Sequence, residues 1–384
     1  MTNNARKKPQ KTLVAAKNAP QQDGILAAAI LILIGLGIVM VASSTMHLSA
    51  DAPFQYVYRH LVALALGLCA ATLAYQIPTH WWDKGSLWLY GFGSILLILV
   101  LMPEFGHSVN GAQRWIDLQV FTLQPAELMK VFAVLYLASY LARQRDDIET
   151  TLWGFFKPFL ILSVACGLIS AQPDFGTAAV LIALTFALLF LARAPLKNFL
   201  IPGLIALLVI AGFIYFEEYR MARVTSFINP WEYAADEGYQ LTQSLIAFGR
   251  GEWFGVGLGN SLQKQFYLPE AHTDFMLAVI GEEFGLIGTL VVIGLFSLII
   301  WRAFAIARQA QQANQDYAAY LAYGLGLYLG IQAYLNIGVN LGVLPTKGLT
   351  LPFLSFGGNS LIVCLIACGL LFRVHRENQQ GPTT

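Results

Sequence analysis

Apolar runs of roughly bilayer length recur ten times along this chain, and no other feature limits its fold as severely. They cover 25–45, 60–76, 86–102, 126–142, 153–172, 176–194, 198–217, 274–301, 318–341 and 356–372. About 20 apolar residues cross a hydrocarbon core as a helix, and in lipid every backbone polar group must be paired internally, so such runs form helices. Composition agrees. The chain is 57% hydrophobic and 12% charged with a mean hydropathy of +0.60, against about 25% charged in soluble proteins. The expected fold is an all-α polytopic membrane protein of about ten transmembrane helices.

An even number of spans puts both termini on one side. With the N-terminus inside, the inner loops, tails and their flanks hold 15 Lys and Arg and the outer loops 7, with Lys130 inside the fourth span completing the 23. Basic residues accumulate on the cytoplasmic side, so both termini are expected there. The domains follow: a polar tail over 1–24, a membrane domain over 25–372 with a large outer loop at 218–273, and a tail over 373–384. Four irregular pieces then face outward, 46–59, 103–125, 218–273 and 342–355. The N-terminal tail carries Arg6, Lys7, Lys8, Lys11 and Lys17 but no cleavable signal pattern, because its apolar run is too long.

A net charge of +1 with scattered basic residues argues against nucleic-acid binding. Cys69, Cys166, Cys364 and Cys368 all fall in apolar runs and read as small packing residues, with no disulfide framework. In the large outer loop, apolar residues at 241, 245 and 248 give a short amphipathic helical pattern, expected to lie along the interface as a lid. The alternating glycines of 249–260 lack the strand-turn-helix context of a phosphate loop and read as a tight interfacial turn anchored by Trp253.

Asp274 carries the most chemical information. It follows Leu268-Pro269-Glu270-Ala271-His272-Thr273 at the edge of the eighth run. An acid beside hydrocarbon is costly and needs a partner, a watery cavity or a chemical task. Helix N-cap and general base both fit its residue type and place. His272 fits either a proton shuttle or a hydrogen-bonded structural role. Glu127 and Lys130, three residues apart at the start of the fourth run, either neutralise one another or line a polar cavity. Glu282, eight residues after Asp274, shares its helix face better than Glu283 and fits an interhelical hydrogen bond. Arg114, Arg223, Arg250 and Lys347 are outer-face cations able to hold phosphate or to snorkel toward head groups, and Pro345 and Pro352 frame Lys347.

Several of these stretches together resemble one family. They are Asn110-Gly111-Ala112-Gln113-Arg114-Trp115-Ile116, Gln124-Pro125-Ala126-Glu127-Leu128-Met129-Lys130, Gln172-Pro173-Asp174-Phe175-Gly176-Thr177, Gly238 to Gly251, Pro269 to Asp274, and Leu344 to Pro352. The chain resembles the SEDS family (shape, elongation, division and sporulation proteins). Pro269 to Asp274 with Gly281-Glu282-Glu283 and Gly259-Asn260-Ser261 looks closer to its FtsW, or division, branch than to its RodA branch. Where members often have Ser-Tyr-Gly-Gly, this chain has Ser355-Phe356-Gly357-Gly358, one hydroxyl fewer.

The resemblance implies a peptidoglycan glycosyltransferase that polymerises lipid II at the outer face of the cytoplasmic membrane at the division septum, with undecaprenyl diphosphate leaving. It implies Asp274 as the catalytic base. Substrate contacts are implied from Arg114, Glu127, Lys130, Arg223, Gln243, Ser244, Arg250, His272, Glu282 and Lys347. No resident cofactor is implied; Mg or Mn is an option, held mainly by substrate phosphates with Asp274 or a Glu. Implied partners are a class B penicillin-binding protein, the FtsI-type transpeptidase, and FtsQ, FtsL and FtsB. A lipid II flippase and a division scaffold are the rival readings. A flippase calls for functional groups near the midplane, often in repeated halves, and the polar motifs here gather on one face with no repeat. A scaffold needs neither an outer lid nor a boundary acid.

Overall fold

The computed structural model describes residues 23–48, 51–109, 112–117, 122–216, 218–346 and 348–380. Lys347, Asn110, Gly111 and the N-terminal basic residues lie outside them. Each expected apolar run carries a helix: α1 Gly24–Thr45, α2 Gln55–Gln76, α3 Thr79–Leu101, α4 Pro125–Arg143, α6 Leu152–Ala171, α7 Phe175–Leu191, α8 Leu200–Tyr215, α11 Met276–Gln312, α12 Asp316–Asn340 and α13 Gly358–Gln380. Short helices α5 Arg145–Thr150, α9 Glu218–Ile228 and α10 Tyr239–Gly251 lie between them. Among the described residues, 7 helices are long and apolar enough to cross a membrane, and the protein is a multi-pass membrane protein. The helix over 175–191 is shorter than that threshold.

Three features depart from the expectation. The piece 103–125, expected to be irregular, holds strands: β1 Gly106–Val109, β2 Ala112–Asp117 and β3 Thr122–Leu123 form an antiparallel sheet in that order. The helix α11 runs on to Gln312 and α13 to Gln380, well past the apolar limits at 301 and 372, because their last turns are polar but still helical. Finally, α11 is broken at Gly285, whose φ of 69° and ψ of −161° are not helical.

At the centre of the bundle stand α4 and α12, most of whose residues are buried. Small residues let the neighbours approach. A Cβ on Gly324 would lie 2.7 Å from a Val134 methyl of α4, and one on Gly326 2.7 Å from the Ala303 methyl of α11. Without a hydrophobic drive between helices in lipid, such close packing is what holds them together. Around this pair, α13 packs on α2, α3 on α4, and α1 on α11. Cys364 and Cys368 are buried in α13 as packing residues, and Cys69 is exposed.

The glycine-rich turn after α10 docks on the broken part of α11. Val256 and Gly257 N–H donate to the Glu282 and Glu283 carbonyls at 2.9 and 3.1 Å, and Leu286 N–H donates to the Glu252 carbonyl at 2.8 Å. Gly255, Gly257 and Gly259 all have positive φ. At Gly255 a Cβ would fall 2.2 Å from the Glu283 carbonyl oxygen, so the alternating glycines serve close backbone approach to α11. Trp253 points outward from this turn, 64% exposed.

Candidate active site

Asp274 sits in the turn just ahead of α11. Phe275 occupies the N-cap position of that helix and makes no side-chain capping bond, so Asp274 is not acting as the cap. Among the described residues no hydrogen bond reaches its carboxylate, which is half-buried. Burial pushes its carboxyl up to about 7, and the negative charge of Glu270 and Asp174 adds to this while Arg114 and Arg223 oppose it. These four groups are therefore within electrostatic reach of Asp274. The backbone at Gly348 passes so near that a Cβ there would lie 3.2 Å from Asp274 Oδ2.

Each neighbour is held by its own element. Arg114, on β2, donates from Nε to the Gln172 carbonyl at 3.0 Å and from Nη2 to the Pro173 carbonyl at 2.5 Å. Asp174 caps α7, accepting from Thr177 N–H at 3.2 Å and Thr177 Oγ1 at 2.9 Å. Arg223, on α9, donates to the Thr346 carbonyl at 3.4 Å. His272 packs edge-on to Tyr56 with centroids 5.7 Å apart and lies 5.9 Å from the Phe356 ring, and its carbonyl accepts the Phe356 N–H at 2.9 Å. Burial holds its imidazole below the usual range, so it stands neutral.

Other sequence-predicted residues are engaged elsewhere. Lys130 is fully buried, donating at 2.7 Å to Glu127 and at 2.7 Å to Gln332 Oε1. Gln332 in turn donates to Ser360 Oγ at 3.1 Å and the Thr350 carbonyl at 3.3 Å, joining α4, α12, α13 and the last outer loop. Among the described residues, Glu127 Oε2 has no hydrogen-bond partner. Glu282 is occupied by partners other than Asp274: it pairs with Arg250 at 2.5 Å and accepts from Ser261 Oγ and from the Leu262 and Gln263 N–H groups. Glu283 pairs with buried Lys264 at 2.6 Å, and Ser43 joins both. The helix α10 buries Leu241, Ser244 and Ala247, with Ser244 Oγ donating to the Asn340 carbonyl at 2.8 Å. Gln243 is half-buried and makes no hydrogen bond among the described residues. Among the described residues no group of three or more His, Cys, Asp or Glu could hold a metal ion.

Sequence reasoning passed over the amides of α12. Gln332, Asn336 and Asn340 recur every four residues on one face of an otherwise apolar helix, a polar stripe that the spacing alone reveals.

The model of one protein family, FtsW/RodA/SpoVE, described as cell cycle proteins, matches residues 24–380. The chain belongs to that family. A probable peptidoglycan glycosyltransferase FtsW of Allochromatium vinosum is 46% identical over 377 residues, covering 97% of this chain and 94% of the relative. Another so named, from Coxiella burnetii, is 49% identical over 365 residues, covering 93% and 97%. Among solved structures, a chain of a peptidoglycan synthase complex that coordinates polymerization and crosslinking superposes with a TM-score of 0.76 at 30% identity, covering 93% of this chain and 98% of that one. The rod shape determining protein RodA of Thermus thermophilus gives 0.68 at 30% identity, covering 92% and 97%. The family match spans every site residue described above, and the names of these relatives agree with the division branch of the family.

Proposed function

We propose that this chain, a peptidoglycan glycosyltransferase of the FtsW type, polymerises lipid II at the outer face of the bacterial cytoplasmic membrane during septal wall synthesis, with Asp274 as general base. The observation that carries this is the state of that carboxylate: half-buried, not used as a cap, without a hydrogen-bond partner among the described residues, and pushed up to about 7. A base is most effective when its pKa lies near the working pH. A carboxylate kept only for structure would be paired.

In the reaction, the C4 hydroxyl of an incoming N-acetylglucosamine gives its proton to Asp274 as its oxygen bonds to the anomeric carbon of the chain's terminal N-acetylmuramic acid. The bond to the diphosphate breaks on the opposite side, so the α-linked donor becomes a β-1,4 link. No covalent sugar-enzyme intermediate is required. Arg114 and Arg223, which oppose the upward shift of Asp274, are cations whose charge reaches it and suit the departing diphosphate. Lys347, next to Gly348 in the same loop, belongs with them by sequence. Arg250 and Lys130 support the site from a distance through their pairs with Glu282 and Glu127. A Mg or Mn ion would come with the substrate phosphates.

The matching topology has ten spans, both termini cytoplasmic and 218–273 extracytoplasmic, which puts Asp274 on the side where lipid-linked sugars are polymerised. A class B penicillin-binding protein of the FtsI type is the partner, supported by the likeness to a chain of a peptidoglycan synthase complex, and FtsQ, FtsL and FtsB complete the division assembly. The test is polymerisation of purified lipid II by the reconstituted chain, with and without that partner, for wild type and Asp274→Asn. Glycan product from wild type and a loss of at least about 10²-fold in the variant are expected. An active Asp274→Asn would remove the base.

A further inference from the structure

Two amides of α12 converge on one atom of the Asp274 main chain. Asn336 Nδ2 donates to the Asp274 carbonyl at 2.7 Å and Asn340 Nδ2 donates to it at 2.9 Å. Both lone pairs of that carbonyl are thereby used. On its other side Asn340 accepts the Ala278 N–H through Oδ1 at 3.1 Å. Had α11 begun one residue earlier, Ala278 N–H would have donated directly to the Asp274 carbonyl, the ordinary bond between residues four apart; instead it donates to the Phe275 carbonyl at 3.0 Å and to Asn340 Oδ1. The carboxamide of Asn340 stands between the two groups, donating to one and accepting from the other. It bridges the two groups that a helical bond would have joined, while Asp274 stays out of the helix.

Asn336 does the corresponding work on the outer loop. Its second N–H donates to the Leu349 carbonyl at 2.5 Å, beside Gly348, whose backbone lies against the Asp274 carboxylate. Asn340 also donates to the Asn336 carbonyl at 2.9 Å, and its own carbonyl accepts the Ser244 hydroxyl of α10 at 2.8 Å. Neither amide can be turned over, because an oxygen in place of either Nδ2 would face the Asp274 carbonyl. Both side chains are buried, at 1% and 0% exposure. Burying an amide is costly unless its hydrogen bonds are made, and an apolar side chain would pack the helix seam more cheaply. Their presence is explained by the carbonyls they hold.

We propose that Asn336 and Asn340 are positioning residues for glycosyl transfer, fixing the carboxylate of Asp274 against the last outer loop by holding its main-chain carbonyl with side-chain amides. The idea rests on Asp274 being the base. A misplacement of about 1 Å can cost on the order of 10²-fold in rate, so freeing the Asp274 carbonyl should be felt in turnover rather than in substrate capture.

The experiment measures lipid II polymerisation by the reconstituted full chain over a range of substrate concentrations and pH, for Asn336→Ala, Asn340→Ala and Asn336→Gln, with Asp274→Asn in parallel. The glutamine keeps both donors but displaces them by a methylene, so it tests position even if an alanine variant fails to fold. The expected result is a fall in kcat of roughly tenfold or more with KM within about twofold of wild type, and a pH-rate midpoint lower than wild type because the carboxylate is better solvated. Wild-type kcat in Asn336→Gln, or a loss expressed only in KM or only as a lower melting temperature with the pH midpoint unmoved, overturns the proposal. An active Asp274→Asn overturns the base assignment itself. An inert Asp274→Asn with fully active amide variants overturns only the positioning.

Discussion

Replacing Asp274 by Asn should produce opposite changes in activity and stability, and both follow from one carboxyl. In the folded protein burial and the charge of Glu270 push it from an ordinary 3.8 to about 7. If the ionised form is the base, about one-tenth of the enzyme is competent at pH 6 and about nine-tenths at pH 8, so the wild-type rate should rise roughly tenfold across that interval. The stability effect has the other sign. A carboxyl raised above its unfolded value favours folding only while it stays protonated. That advantage is intact below about pH 4 and is lost progressively as pH rises to about 7. Three units correspond to about 4 kcal/mol at most, and the partial exposure of the group reduces this to about 2 kcal/mol. Asn carries no charge at any of these pH values. At pH 8 Asp274→Asn should therefore melt a few degrees above wild type in detergent, the two should converge near pH 4, and polymerisation should fall by at least about 10²-fold. The assays are glycan formation from lipid II between pH 5.5 and 8.5 and thermal unfolding over the same buffers extended to pH 4. A flat wild-type rate from pH 6 to 8, or a variant less stable than wild type at pH 8, would refute the reasoning that the site holds a strained, unpaired carboxylate.

Lys130→Met should destabilise the bundle by about 3–5 kcal/mol in thermal unfolding, because Glu127 is left as a buried charge. The double variant Glu127→Gln/Lys130→Met should recover most of that, and equal losses in single and double variants would show that the pair does not couple. Gly255→Ala should lower the melting temperature and release the 252–260 turn to protease, since its φ is 80° and the new Cβ would meet the Glu283 carbonyl at 2.2 Å; unchanged proteolysis would count against the docked turn. In a background without native cysteines, Gln265→Cys, exposed in the large loop, should react with an impermeant thiol reagent on spheroplasts while exposed Gln312→Cys at the other end of α11 should not. The reverse pattern would invert the topology.

The apolar runs determined the helices, because a backbone in lipid has no other way to satisfy its polar groups, and each expected run is a helix in the structure. Asp274 was legible for a related reason: a carboxylate at such an edge is too costly to be incidental. The small sheet of 103–125 was not, because strands this short, 4, 6 and 2 residues, leave little periodicity. Nor could sequence spacing assign partners. Glu127 and Lys130 are adjacent on one helix, so their pairing could be read from a three-residue offset. Glu282 with Arg250, Glu283 with Lys264, and the Asp274 carbonyl with Asn336 and Asn340 are joined across 32, 19, 62 and 66 residues. Such pairs exist only once helices have packed and the glycine turn has docked on the break in α11. The sequence by itself determined that the chain spans a membrane and carries a boundary acid. Tertiary structure decided which cations are sealed into internal pairs and which stand near that acid, because in a low-dielectric bundle each buried charge must find its partner wherever packing brings one within reach.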